Sequence, residues 1–306
     1  MKAAVFTEYG PPEVLRIEEV EKPVPGEGEI LIKVKASTVA AGDCRIRRAD
    51  PFAARFYMGL FRPRRVNIPG FELSGVVEET GRDVSQFKPG DEVFAFTGFG
   101  FGANAEYRCL PEKFTKVQEG IVAPKPSNCS FIKAAALPIG GITALGFLRQ
   151  AGVQEGDSVL IYGASGSVGT YAVQIARHLG AGVTGVCSTK NLELVRSLGA
   201  EAVFDYTKND IAAIGRRFDV IFDAVGKTSR RQCRPLLDQG GRFLSANGSA
   251  SIYEEDLYEL KELAENGNIV PVIDRQYTLD QISEAHAYVD QGHKVGNVVV
   301  VIDPDL

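Results

Sequence analysis

Gly163, Gly166 and Gly169 stand directly behind the apolar run Ser158-Val-Leu-Ile-Tyr162. A strand, a glycine turn and a helix start in that order make a phosphate cradle. Residues without side chains let backbone N–H groups approach a pyrophosphate, whose charge the positive end of the helix dipole stabilises. The spacing is G-x-x-G-x-x-G rather than the strict G-x-G-x-x-G, so the flanking pattern has to carry the assignment. It does so: Val168, Ala172, Ile175, Ala176 and Leu179 recur at roughly helical spacing, and Gly180 closes the segment as a left-handed cap would.

An Asp or Glu about 20 residues beyond such glycines would hold the ribose 2′-hydroxyl of NAD. Here the chain reads Cys187-Ser188-Thr189-Lys190. Two hydroxyls and an ammonium suit a doubly charged 2′-phosphate, and no carboxylate stands there to repel it. The expected cofactor is NADPH.

The elements that position these residues alternate. A second strand is expected at 182–187, a helix near 191–198, a short strand at 202–204, a helix around 210–216 and a strand at 219–222. Strands alternating with helices across short connections predict a parallel, doubly wound sheet. A chain of 306 residues exceeds what a dinucleotide fold needs and predicts a second domain. In residues 1 to about 125, turns at Pro11-Pro12, Pro23-Val-Pro25-Gly26, Pro69-Gly70 and Pro89-Gly90 separate strand-like runs at 30–36, 74–78 and 91–96, so this half reads as all-β.

A net charge of −5 argues against a nucleic-acid surface, and the local cluster Arg62, Arg64, Arg65 reads as a solvated loop or a greeting for an anionic substrate. No window approaches 18 consecutive apolar residues, and Glu8 interrupts the N-terminal apolar run, which predicts a soluble, cytoplasmic chain without a membrane partner. Five scattered cysteines, 44, 109, 129, 187 and 233, fit reduced thiols. His178, His286 and His293 share no metal-ligand spacing, so no metal is expected.

Several motifs in order carry a resemblance over nearly the whole chain: Met1-Lys-Ala-Ala-Val, the segment 23–34, Ile68-Pro-Gly-Phe-Glu-Leu-Ser-Gly-Val-Val77, Phe87-Lys-Pro-Gly-Asp-Glu-Val93, Ala105-Glu-Tyr107, Ala134-Ala-Ala-Leu-Pro138 with Thr143, the Gly163 turn, and Gly296-Asn-Val-Val-Val300. The sequence resembles the zinc-independent branch of the medium-chain dehydrogenase/reductases, the quinone oxidoreductase-like proteins related to zeta-crystallin. The resemblance implies a GroES-like β-barrel from residues 1–126 and 273–306, a Rossmann domain from 127–272, and a substrate cleft between them. It also implies Ala40 and Phe71 where zinc-dependent members place Cys and His, and no structural zinc lobe.

Position by position, the resemblance assigns Gly163, Ser165, Gly166, Ser167 and Val168 to the pyrophosphate. Ser188, Thr189 and Lys190 go to the 2′-phosphate, and Tyr206 lies beside the adenosine phosphate. Thr143, the loops with Val225 and Ser245, and Asn297 are further cofactor contacts. Many relatives carry Asn where this chain has Ala40; Asp43, Arg47 and Tyr57 are the candidates to compensate in the pocket. Without a Lewis acid on the carbonyl, reversible alcohol oxidation is hard to run, and easily reduced acceptors fit better. The expected reaction is hydride transfer from NADPH to a quinone or an α,β-unsaturated carbonyl. The alternatives are an enoyl-thioester or alkenal reductase and a non-catalytic NADPH-binding protein. The stretch 248–255, shorter than in many relatives, lies where an edge strand pairs dimers, so a homodimer stays an open expectation.

Overall fold

A computed structural model of the chain describes residues 1–64 and 67–306, with Tyr57 described by its backbone alone. The expectations placed on the Tyr57 side chain and on Arg65 lie outside the described residues. In chain order the strands are β1 (Lys2–Val5), β2 (Arg16–Glu19), β3 (Glu29–Val39), β4 (Glu72–Thr80), β5 (Glu92–Phe96), β6 (Tyr107–Pro111), β7 (Ile121–Pro124), β8 (Ser158–Tyr162), β9 (Gly182–Cys187), β10 (Ala202–Asp205), β11 (Phe218–Asp223), β12 (Leu237–Ser245), β13 (Ile273–Thr278) and β14 (Asn297–Val301). Contacts divide the chain into two units. The first holds Met1–Ile139, Leu257–Glu265 and Ile273–Leu306; the second holds Gly140–Asp256 and Asn266–Val272.

In the first unit a sheet runs β13-β14-β3-β4-β5-β7, with β6 also paired to β3, and β1 pairs β2 separately. The tail strand β14 lies antiparallel to β3, Val298 opposite Val39 and Val301 opposite Ala36, so the two ends of the sequence share one sheet. Strand β3 is apolar along most of its length and correspondingly buried. Against it pack Ala135 and Ala136, with Ala36 and Val299, where small side chains let the short helix Phe131–Ala135 approach the sheet.

This half is not all-β. Helices span Ala41–Arg48 and Ala54–Met58. The first escapes a sequence pattern because its N-cap is Ala40, which cannot cap; instead the Asp43 carboxylate reaches back to the Ala40 N–H at 2.8 Å.

The second unit is a parallel sheet of order β10-β9-β8-β11-β12. The order reverses direction between β8 and β11, which makes the carboxyl end of that pair the place where such sheets take ligands. Strands β8 and β11 are buried on both faces, as continuous apolar runs require. Leu160, Val186, Phe218, Ile221, Leu236 and Leu237 form one buried cluster, each side chain worth roughly 1.5–3 kcal/mol when fully buried. The expected helix at 210–216 is a 3-10 turn, Ile211–Ile214. The Asp210 carboxylate caps it by accepting the Ala212 N–H at 2.9 Å, and Gly215 at φ +70° ends it after one turn.

Candidate functional site

Register gathers the loops of the second unit at one edge. Tyr162 stands beside Val186 and Asp223, and Asp223 beside Ser245, so the chain leaves β8, β9, β11 and β12 on the same side. Gly163 takes φ +77°, and the N–H groups of Gly163 and Ala164 both donate to the Val186 carbonyl at 3.0 Å. The Gly166 N–H then donates to the Gly163 carbonyl at 3.0 Å, closing the turn.

The space inside that turn is spoken for. A Cβ on Gly169 would lie 2.1 Å from the Gly163 oxygen, and one on Gly163 would lie 2.6 Å from Val225 Cγ1. The helix Ser167–His178 begins at once, and its N-cap Gly166 has no side chain to donate or accept. First-turn N–H groups with no side-chain cap, at the positive end of a 12-residue helix and behind a turn that admits no Cβ at Gly163 or Gly169, fit a pyrophosphate.

Beyond β9, Ser188 is half-buried while Thr189 and Lys190 are exposed. Two residues that sequence reasoning missed organise this corner. Asn191, 8 % exposed, donates from Nδ2 to Ser165 Oγ at 2.9 Å and to Ser188 Oγ at 3.3 Å, bracing the glycine turn against the next loop. Its signal was its place three residues after Ser188. Asp205, at the end of β10 and in register with Cys187, accepts the Thr189 hydroxyl, the Thr207 N–H at 2.9 Å and the Thr207 hydroxyl at 2.6 Å. Those hydrogen bonds, Thr189 first, hold its carboxyl below the ordinary range. An acid therefore does stand at this corner, one strand further on than the expectation placed it. Its oxygens are taken by hydroxyls, and among the described residues Lys190 has no ion-pair partner. Tyr206 is 47 % exposed, its ring 6.2 Å from that of Tyr162.

The loop after β11 is built on Asp223, fully buried, whose carboxylate accepts N–H groups of Val225, Gly226 and Thr228 at 3.2, 2.9 and 2.7 Å and the Thr228 hydroxyl at 3.0 Å. This turn presses Val225 against Gly163. Asn247, two residues past Ser245, donates to the Gly226 carbonyl at 2.9 Å and ties the last two loops together. Ser245 is half-buried, as is Thr143 on the helix Pro138–Ala151. The structure thus brings together Gly163, Ser165, Gly166, Ser167, Val168, Ser188, Thr189, Lys190, Tyr206, Val225 and Ser245. Asn297 belongs to the first unit, buried at the start of β14 opposite Ile273.

The pocket candidates of the first unit are spent inside it. Asp43 is fully buried, and its carboxylate accepts the N–H groups of Ala40 and Gly70, each at 2.8 Å; burial nevertheless raises it to about 7. Arg47, also fully buried, pairs with Asp290 and donates to the Gly10 carbonyl at 3.2 Å. Ala40 is half-buried. Phe71 sits in an aromatic group, its ring 4.6 Å from Phe101 and 6.4 Å from both Phe96 and Phe99.

Next to it Glu72, fully buried, accepts the Thr38 hydroxyl and the Ile139 N–H at 2.7 Å, and burial raises it to about 8. Cys44 Sγ lies 3.5 Å from His286 Nδ1, yet burial pushes the thiol up and the imidazole down to about 3, so both stay neutral and make no nucleophilic pair. Among the described residues no three His, Cys, Asp or Glu side chains are grouped to hold a metal, and no helix is long and apolar enough to cross a membrane.

Residues 26–119 match the alcohol dehydrogenase GroES-like domain, and residues 167–287 match the zinc-binding dehydrogenase domain. The chain is 35 % identical to 2-methylene-furan-3-one reductase of Solanum lycopersicum, over 98 % of this chain and 79 % of that one. It belongs to the quinone-oxidoreductase-like medium-chain dehydrogenase/reductases. It is also 33 % identical to the chloroplastic NADPH-dependent alkenal/one oxidoreductase of Arabidopsis thaliana, with the same coverage. The quinone oxidoreductase structure from Coxiella burnetii superposes with a TM-score of 0.85 at 29 % identity, covering 99 % of both chains.

A member of this family is a nicotinamide-dependent oxidoreductase with a GroES-like and a Rossmann domain, and the Gly163 turn fits that dinucleotide. The expectation of a cytoplasmic protein is overturned: the Arabidopsis relative is chloroplastic, and further relatives are chloroplastic or mitochondrial. The absence of a long apolar helix never bore on which compartment holds the chain.

Proposed function

We propose that this quinone-oxidoreductase-like protein reduces an α,β-unsaturated carbonyl or a quinone with NADPH and without a metal. The observation that carries the reading is the pair of positions Ala40 and Phe71. By family resemblance these are the zinc-ligand positions of metal-dependent members, and here they hold a methyl group and a ring packed on Phe96 and Phe101. Neither has a lone pair to offer a cation. When bound, the nicotinamide supplies a hydride, and a conjugated acceptor needs no Lewis acid to take it, because conjugation spreads the charge until solvent or a weak acid delivers the proton. The chain's own work is then positioning: a turn that grips the pyrophosphate and loops that hold their shape through Asp223 and Asn191. Activities in the names of the tomato and Arabidopsis relatives support the enone class over the quinone.

Preference for NADPH rests on Lys190, exposed and not ion-paired among the described residues beside Ser188 and Thr189, with the nearby Asp205 carboxylate engaged by threonines. The test is cofactor oxidation with an alkenal and with an ortho-quinone, each with and without a chelator, NADH serving as control. Chelator-insensitive turnover that prefers NADPH is expected, faster with the alkenal. Lys190→Glu sets a like charge against the 2′-phosphate and should weaken NADPH about tenfold or more after solvent and salt screening while leaving NADH nearly unchanged. Equal losses for the two cofactors would refute the assignment.

A further inference from the structure

Against a net charge of −5, four arginines gather around one cavity of the second unit, of about 960 Å³. Arg217 lies just before β11; Arg230 and Arg231 lie on the turn helix Arg230–Cys233, and Arg234 follows it. All four are exposed. Three other arginines of this unit are ion-paired: Arg149 with Asp256, Arg196 with Glu193 and Arg242 with Asp157. Among the described residues none of the four around the cavity is ion-paired, and the lining includes a single acid, Asp238.

The backbone of the far wall is shaped as well. Leu237 pairs with Phe218 and Arg242 with Val220, so residues 238–241 bulge out of the β11–β12 ladder and line the cavity. Gly240 takes φ +83°, and a Cβ there would meet nothing within 4 Å, so main chain faces open space. This wall borders the start of β11, whereas the dinucleotide turn sits at the carboxyl ends of the strands, about 17 Å away along a six-residue strand. The cavity is therefore separate from the cofactor cradle.

We propose that it binds a multivalent phosphate anion, either free in solution or carried on a lipid headgroup. Four guanidinium forks facing one concavity repel one another and focus a positive potential that an anion relieves. Guanidinium groups bind phosphate oxygens two at a time, and bulged glycine backbone offers N–H groups without side-chain obstruction. A single charge would satisfy one or two forks; four call for a ligand with several anionic oxygens.

The test is calorimetric titration of inorganic pyrophosphate into the protein saturated with oxidised cofactor, which keeps the glycine turn filled. Binding is expected to persist there and to weaken at least ~10-fold in Arg230→Gln/Arg234→Gln. Arg231→Gln is measured in the same way as a second, milder variant. Both should melt like the parent and bind NADPH normally, since these arginines touch neither. Vesicles containing phosphatidic acid distinguish the source: sedimentation with them, reversed by pyrophosphate, names a lipid headgroup, and its absence alongside pyrophosphate binding names a free anion. The proposal fails if cofactor saturation abolishes pyrophosphate binding or if the glutamine variants bind like the parent. It fails equally if neither ligand binds.

Discussion

Gly169→Ala adds one methyl group where the turn has no room. The new Cβ would sit 2.1 Å from the Gly163 carbonyl oxygen and 2.8 Å from Ala164 Cα. Ordinary contact needs more than ~3.3 Å, so the turn must open by about 1 Å. That oxygen also accepts the Gly166 N–H at 3.0 Å, and the opening works against this bond and the two bonds to Val186. Overpacking of this kind costs about 1–3 kcal/mol, while replacing a helical glycine by alanine returns up to about 1, leaving a net loss of roughly 0–3 kcal/mol.

Cofactor binding should suffer more than the fold. Losing one charge-assisted hydrogen bond to the pyrophosphate is worth about 1.5–3 kcal/mol, or roughly 10- to 100-fold in affinity. Gly166→Ala is the control, because its Cβ would meet the nearest atoms at 3.5 and 3.8 Å and should leave the fold intact. NADPH fluorescence titration and urea unfolding on the three proteins measure both quantities. If Gly169→Ala binds NADPH with parental affinity, the tightness of this turn is not what shapes the cradle.

Two further substitutions address buried carboxyls. Asp223→Ala leaves donors of Gly226 and Thr228 without their acceptor inside the fold, so a loss on the order of 3 kcal/mol in urea unfolding is expected, together with weaker NADPH binding. Parental stability would show that the loop is held by something else. Burial raises Glu72 from 4.5 to about 8, outweighing Thr38, Ile139 and Lys294, so the folded protein keeps a proton that the unfolded chain gives up near 4.5. Its contribution is then complete below the unfolded value and disappears as pH climbs through about 8. Glu72→Gln, neutral throughout, should melt with a flatter pH dependence than the parent across that window, and an unchanged profile would place the pH sensitivity elsewhere.

The parts of the molecule legible in the sequence are those dictated by local rules. Gly163, Gly166 and Gly169 behind an apolar run announce a turn and a helix because only backbone geometry is at stake. The parallel order of β8 to β12 follows from alternation with short connections. What stayed hidden depends on partners distant in sequence or on unusual caps. Asn191 acts through Ser165, 26 positions earlier, and Asp205 through Thr189 in the turn that follows the neighbouring strand. The helix Ala41–Arg48 starts at an alanine and owes its cap to Asp43. Asp43 and Arg47 look like pocket residues by type, and only the structure shows Gly70, Gly10 and Asp290 occupying them.

Asn191 also bears on how this protein's cofactor preference can be re-engineered. The residues facing the expected 2′-phosphate, Ser188 to Lys190, are fastened to the pyrophosphate turn by one amide that reaches both Ser188 and Ser165. Transplanting a whole loop from an NADH-using protein would remove that strut and loosen the grip on either dinucleotide. Altering Lys190 while retaining Asn191 and the Thr189 hydroxyl on Asp205 changes the charge alone, so the smaller graft should yield the better NADH enzyme.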